Sequence, residues 1–194
     1  MTKKNAVPVF KMKPSVERIV EAILFIIQEA QKRGLRVTQY DIVKTLFLAD
    51  KAHLNKFGRP ITYDNYTAME HGPVPSVAYN ILKEESRTIE RLSVKVPWKR
   101  VKSVGKEYIY QKPARGYNDD ILSESDISAL SEMLTVVKSL GFAQVRRLTH
   151  EDLAYDVAWK NRGEAKSSAM SYALLFDTPD IEMAQEISFA SQHI

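Results

Sequence analysis

Asp50 and His53 stand at i and i+3 in a run of helical periodicity, so both side chains emerge from one helix face. A carboxylate and an imidazole placed this way are two metal ligands or an acid–base pair. The plainer reading makes Asp50 an acceptor for nearby loop amides and His53 a packed ring with its polar edge satisfied. It is favoured, because two ligands without a third do not make a metal centre. His150-Glu151-Asp152 is a second group of titratable residues. Its carboxylates fall in the first turn of an expected helix, where the helix dipole stabilises negative charge, and that role accounts for them. The histidines His53, His71, His150 and His193 form no i, i+4 pair, and no GxGxxG, P-loop, HExxH or GxSxG pattern is present. No catalytic residue, metal site or cofactor is expected. A metal-dependent enzyme would need Asp50, His53 and a further ligand to converge, and it stays as an alternative.

Two other segments carry binding chemistry. Lys99, Arg100, Lys102 and Lys106 flank Trp98 and Tyr108. Cations beside aromatic rings hold phosphates and stack on bases, and Trp, Tyr and Arg also dominate protein interfaces. The bland alternative is an edge strand kept from aggregating by its lysines. On the interface reading, Trp98→Ala weakens partner binding by more than about 1 kcal/mol. A nucleic-acid binder that regulates its own operon would use this ribbon and the N-terminal lysines Lys3, Lys4, Lys11 and Lys13, with affinity falling steeply in salt. The run Met69-Glu70-His71-Gly72-Pro73-Val74-Pro75-Ser76 is stiffened by two prolines, and Gly72 supplies a backbone angle other residues avoid. Such a loop binds at low entropic cost, or it serves purely as a crossover that locks one helix against another.

The elements that must position these residues are mostly helical. Ser15 precedes Val16, Ile19, Val20, Ile23, Leu24, Ile27 and Ala30 at helical spacing, closed by Gly34. Thr38 and Asp41 cap a second helix whose face is Ile42, Val43, Leu46, Phe47, Leu54 and Phe57, ended by Gly58. Ile61, Tyr63, Tyr66 and Ala68 fit short extended segments, and Ser76 opens a third helix reaching Ile89. Val94, Val96 and Trp98, facing Tyr108 and Tyr110, read as a hairpin over about 93–111, followed by a surface loop over about 113–121. Ser123 and Asp126 cap a helix stopped by Gly141, and Phe142 to Leu148 form a short one. Thr149 and Asp152 cap the next, and Thr178 with Pro179 begins the last. The stretch Ala169 to Phe176 fits either period. The expected fold is mainly α: a mobile arm over 1–13, then a single compact helical domain over 14–194 with a small β-hairpin insertion.

Composition agrees with a globular protein. Of 194 residues, 44% are hydrophobic and 27% charged, which excludes wholesale disorder. The 28 basic and 24 acidic residues leave a net charge of +4, a mild field that favours an anionic partner only if concentrated in one place. With no cysteine, disulfides, thiolate zinc and a cysteine nucleophile are excluded, and a cytoplasmic location is expected. The most apolar run, Ile19 to Ile27, is interrupted by Glu21, so no membrane association is expected.

Three stretches taken in order carry a resemblance: Lys44-Thr45-Leu46-Phe47-Leu48-Ala49-Asp50-Lys51-Ala52-His53-Leu54, then Phe57-Gly58-Arg59-Pro60-Ile61-Thr62, then Tyr66-Thr67-Ala68-Met69-Glu70-His71-Gly72-Pro73-Val74-Pro75-Ser76. Farther on stand Leu148-Thr149-His150-Glu151 and Ala158-Trp159. Together they resemble the SocA-like Panacea domain. Phe47 and Leu48 replace the family's usual tyrosine and phenylalanine, and His71 stands where many members have tyrosine. The resemblance implies an antitoxin: members are encoded beside bacterial toxins, often on prophages, and neutralise them by direct binding. One kind is an adaptor that delivers its toxin to a cytoplasmic protease. It also implies a protein-binding module without catalysis. On that reading Tyr66 and the loop His71, Gly72, Pro73, Val74, Pro75 and Ser76 organise the binding surface, and Trp98, Arg100 and Tyr108 form a variable contact.

Overall fold

The computed structural model describes residues 7–103, 105 and 107–193. Helix α1 (Val16–Lys32) carries apolar residues on nearly every face, and Ile19, Ile23, Ile26 and Ile27 are fully buried. A helix of this kind belongs inside the protein. Helix α2 (Gln39–Phe57) begins at a reciprocal capping box between Thr38 and Asp41. It ends at Gly58, whose left-handed backbone lets its N–H bond back to Leu54.

The chain then forms strand β1 (Tyr66–Met69), where an extended segment was expected, and strand β2 (Gly72–Pro75), where a stiff loop was expected. Pro73 and Pro75 are tolerated because β2 is an edge strand. In the register Thr67↔Val74 they occupy alternate positions, so their missing N–H groups face away from β1. Strand β5 (Ser168–Ala169) adds to the other side of β1, giving the antiparallel order β2-β1-β5. The expected third helix is two, α3 (Ser76–Leu82) and α4 (Ser86–Leu92). The break falls at Glu84, which has φ 54°, and Glu85 then caps the amide of Thr88.

The hairpin is present but displaced. Strands β3 (Lys99–Lys102) and β4 (Tyr108–Gln111) pair beyond Pro97, which cannot donate to a ladder. Helix α5 (Glu124–His150) starts at the Ser123–Asp126 capping box and is interrupted at Gly141, where a stop was expected. That residue leaves the helical region, with φ 70° and ψ 177°, and a second helical stretch follows from Phe142. Thr149 lies inside α5, so Asp152 alone caps α6 (Leu153–Lys160), accepting from the amides of Ala154 and Tyr155. A 3-10 turn spans Tyr172–Leu174. Helix α7 (Ile181–Ser191) is capped by Asp180 rather than by Thr178.

Two hydrophobic clusters form. The larger joins α1, α2, α3, the hairpin and the first half of α5 through Ile23, Leu46, Ile81, Trp98, Tyr110 and Leu134. The smaller gathers Phe47, Tyr66, Tyr155, Tyr172, Leu175 and Ile187. Helix α2 is the wall between them, with Leu46 in one and Phe47 in the other.

The arm expected to be mobile over 1–13 is packed from Val7 onward. Met12 is 3% exposed and belongs to the smaller cluster. Its N–H donates to Asn65 Oδ1 at 2.9 Å, and the N–H of Lys13 donates to Ser191 Oγ at 2.9 Å. The isolated apolar residues of this segment find their partners only in the folded chain. Lys3, Lys4 and Lys106, placed above in the basic groups, lie outside the described residues. Among those residues, no helix is long and apolar enough to cross a membrane.

Candidate functional site

The interior face of α2 presents Asp50 to the segment that follows the helix. Its Oδ1 accepts from the amides of Ile61 (2.8 Å) and Thr62 (3.0 Å). Its Oδ2 accepts from the Thr62 hydroxyl and from Tyr66 Oη at 2.7 Å. Burial pushes the Asp50 carboxyl above its ordinary range, while these donors pull it down. Asp64 repeats the arrangement one step on. It accepts from the amides of Asn65, Val77 and Ala78, which ties the first turn of α3 to the end of the α2–β1 connection. Burial raises Asp64 to about 7. Tyr172 closes the network by donating to the Asp64 carbonyl at 2.5 Å. The chain from Ile61 to Tyr66 is thereby fixed by side chains rather than by a ladder.

His53, one helical turn past Asp50, does not join it. Its Nδ1 donates to the Arg59 carbonyl at 2.8 Å, and its Nε2 lies 3.0 Å from Ser125 Oγ and 3.2 Å from Asp126 Oδ1. Asp126 also pairs with Arg18 at 2.5 Å and Arg59 at 3.0 Å. Burial raises the Asp126 carboxyl, but Ser123 and the two guanidiniums outweigh it and hold it below the ordinary carboxylate range. His53 and Asp126 thus join α2 to α5. Among the described residues no three His, Cys, Asp or Glu side chains converge in a way that would hold a metal ion.

Above this network sits the β1–β2 turn, Glu70-His71. Three elements clamp it. Lys44 of α2 donates to the Pro73 carbonyl at 2.8 Å. Tyr155 of α6 donates to the Met69 carbonyl at 2.9 Å, and Arg146 of α5 reaches the Glu70 carbonyl at 3.5 Å. Lys44 is 1% exposed, and desolvation lowers its ammonium to about 7. Gly72 must be glycine on two counts. Its φ is +99°, and a Cβ there would meet Lys44 Nζ at 2.7 Å and Thr149 Oγ1 at 2.8 Å. The His150 ring packs on Tyr155 behind this turn, its Nε2 buried and without a hydrogen-bond partner among the described residues. Burial and the charges of Arg146, Lys44 and His71 all lower its pKa. Beside the turn opens a cleft of about 340 Å³ lined by Tyr40, Val43, Met69, His71, Val74 and Tyr79, among others.

A family model described as Antitoxin SocA-like, Panacea domain matches residues 42–155, more than half of the chain. The chain belongs to this family. The match begins in α2 and ends in α6, so the Panacea region contains Asp50 and Asp64 with their donors up to Ala78, the turn, the hairpin and all of α5, while Tyr172, which closes the network, lies beyond it. Membership points to an antitoxin role, to a toxin as the general kind of partner, and to a role without enzymatic turnover. No curated protein and no solved structure was found to match.

Within this Panacea domain the residues expected to act together divide into two sets. Tyr66, Gly72, Pro73, Val74 and Pro75 come together at the turn, the first as a buried strut and the others as β2. His71 is exposed at the tip of the turn. Trp98, Arg100 and Tyr108 lie elsewhere, in the hairpin. Trp98 is 6% exposed and packs in the larger cluster, which corrects its assignment as a surface contact. Arg100 stacks 3.6 Å from the Tyr108 ring centroid and donates to the Lys83 carbonyl, so the ribbon's cation and aromatic ring satisfy each other. Tyr40, Lys44, Phe142, Arg146 and Tyr155 are residues of the site that the sequence did not single out. The available signal was Gly141, whose non-helical backbone directly precedes Phe142.

Proposed function

We propose that this chain is an antitoxin that neutralises its cognate toxin by direct binding, through the surface built on the β1–β2 turn. The observation that carries the reading is the clamping of that turn. Its carbonyls at Met69 and Pro73 are each held by a side chain from a different helix, and Arg146 of a third reaches the Glu70 carbonyl at 3.5 Å. A loop held this way is ordered before any partner arrives, and little conformational entropy is lost on association. Family membership supplies the kind of partner. The matched region ends just past α5, so the clamps from α2, α5 and α6 all fall inside it.

The test is co-expression with the product of the adjacent reading frame. That product alone should arrest growth, and this chain should restore it while forming a complex that survives gel filtration. A harmless neighbour, or arrest that persists with both proteins soluble, would overturn the reading.

A further inference from the structure

The surface around the turn carries more than the clamp requires. Phe142 is 54% exposed, with its ring 4.7 Å from Tyr40 and 6.0 Å from His71. Leaving half of a phenylalanine in water forgoes part of the free energy of its burial. It is placed there by Gly141, whose φ 70° and ψ 177° fall in a region that is essentially glycine's alone. A Cβ at Gly141 would meet nothing within 4 Å, so the glycine serves the path of the backbone and not a crowded contact.

Arg146 follows Phe142 one helical turn later and is exposed. It makes no ion pair among the described residues, and its guanidinium reaches only the Glu70 carbonyl, at 3.5 Å. Lys44 lies at the cleft wall, and His71 and His150 stand near enough for Arg146, Lys44 and His71 to bear on the protonation of His150. Glu70 is the carboxylate that lines the cleft. Arg146 therefore brings a cation without an ion-pair partner among the described residues to the side of an apolar cleft whose neighbouring rings are Tyr40, His71 and Phe142. Aromatic residues with an arginine are the composition of interface hot spots, and an arginine without an ion-pair partner selects a group of opposite sign.

We propose that this cleft docks an apolar side chain of the toxin that carries an acidic residue beside it, the apolar group seated between Tyr40, Val43, Met69 and Phe142 and the carboxylate paired with Arg146. The identity of the occupant rests on the antitoxin reading, whereas the chemistry of the cleft does not.

Two measurements separate the two. The first titrates the full chain with N-acetyl-phenylalanyl-glutamyl amide and with its glutaminyl counterpart, followed by NMR. The glutamyl peptide should shift resonances of Tyr40, Met69 and His71 and bind about threefold more tightly than the glutaminyl one. Arg146→Glu should abolish that preference. The second measures protection of cells from the neighbouring gene product by wild type, Phe142→Ala and Arg146→Glu. Both positions are exposed, so the variants should melt like wild type, and both should lose protection at least about tenfold. No cleft shifts, or equal affinity for the two peptides, overturns the proposal. Variants that protect as well as wild type overturn it while leaving the antitoxin reading standing. Peptide binding in the cleft by a wild-type chain that protects nothing overturns the antitoxin reading, and the toxin as occupant with it.

Discussion

Asp50 is the acceptor on which the α2–β1 connection depends. Four donors converge on it: the Ile61 and Thr62 amides and the Thr62 and Tyr66 hydroxyls. Asp50→Ala leaves the Ile61 and Thr62 amides and the Thr62 hydroxyl buried without their acceptor, each at about 1–3 kcal/mol, while Tyr66 Oη keeps the Leu46 carbonyl at 3.3 Å. We expect a loss of more than about 3 kcal/mol in urea unfolding, against about 1 kcal/mol for Tyr66→Phe. Lys44 acts through its proton. Below pH 7 the folded and unfolded chains both hold it. Between about 7 and the ordinary 10.5 only the unfolded chain does, so stability rises with pH across that window. The slope approaches about 1.4 kcal/mol per pH unit. Lys44→Met should remove this rise, and thermal melts at intervals from pH 7 to 10 would show the wild-type and variant curves converging or not. The role of Asp50 as an acceptor for loop amides was legible in the sequence, because a carboxylate on a helix face beside a following loop has few other uses. Lys44 was not, because a lysine reads as solvated until two layers are known to cover its helix.

At the scale of elements, the β1–β2 turn is defined by what its glycine excludes. Gly72→Ala adds a Cβ into Lys44 Nζ and Thr149 Oγ1 at φ +99°. It should cost more than about 2 kcal/mol and loosen the Pro73 contact. Gly163→Ala, with φ +61° and open space, should cost only about 1 kcal/mol. The hairpin answers a different question. Trp98 is packed against the larger core, so Trp98→Ala should cost about 3–5 kcal/mol of folding stability. Any fall in toxin binding should track the unfolded fraction, as paired calorimetry and melting would reveal. The capping boxes at Thr38–Asp41 and Ser123–Asp126 were readable because each is a local contact. The interruption at Gly141 was readable as well, whereas the pairing of β5 with β1 was not, since a partner distant in sequence decides it.

For the molecule as a whole, the decisive fact is that α2 walls both hydrophobic clusters. Neither cluster can open on that side without exposing the helix that the other needs. Native-state hydrogen exchange should therefore find the amides of Leu46 and Phe47 among the slowest, opening only with global unfolding, while those of α7 exchange earlier. The periodicity of the sequence revealed a helix with an apolar face, but a helix shared by two clusters is invisible until the smaller cluster's members, scattered from Met12 to Ile187, are seen together. The first and last described segments meet as well. Lys11 accepts from Ser188, Lys13 donates to Ser191 and to the Gln192 carbonyl, and all of these are hydrogen bonds at the surface or half-buried. Tension applied to the first segment meets Val7, Phe10 and Met12 of the smaller cluster together with this seam, so that edge is fastened by packing and polar contacts at once, and pulling it loose must disturb the hydrophobic interior.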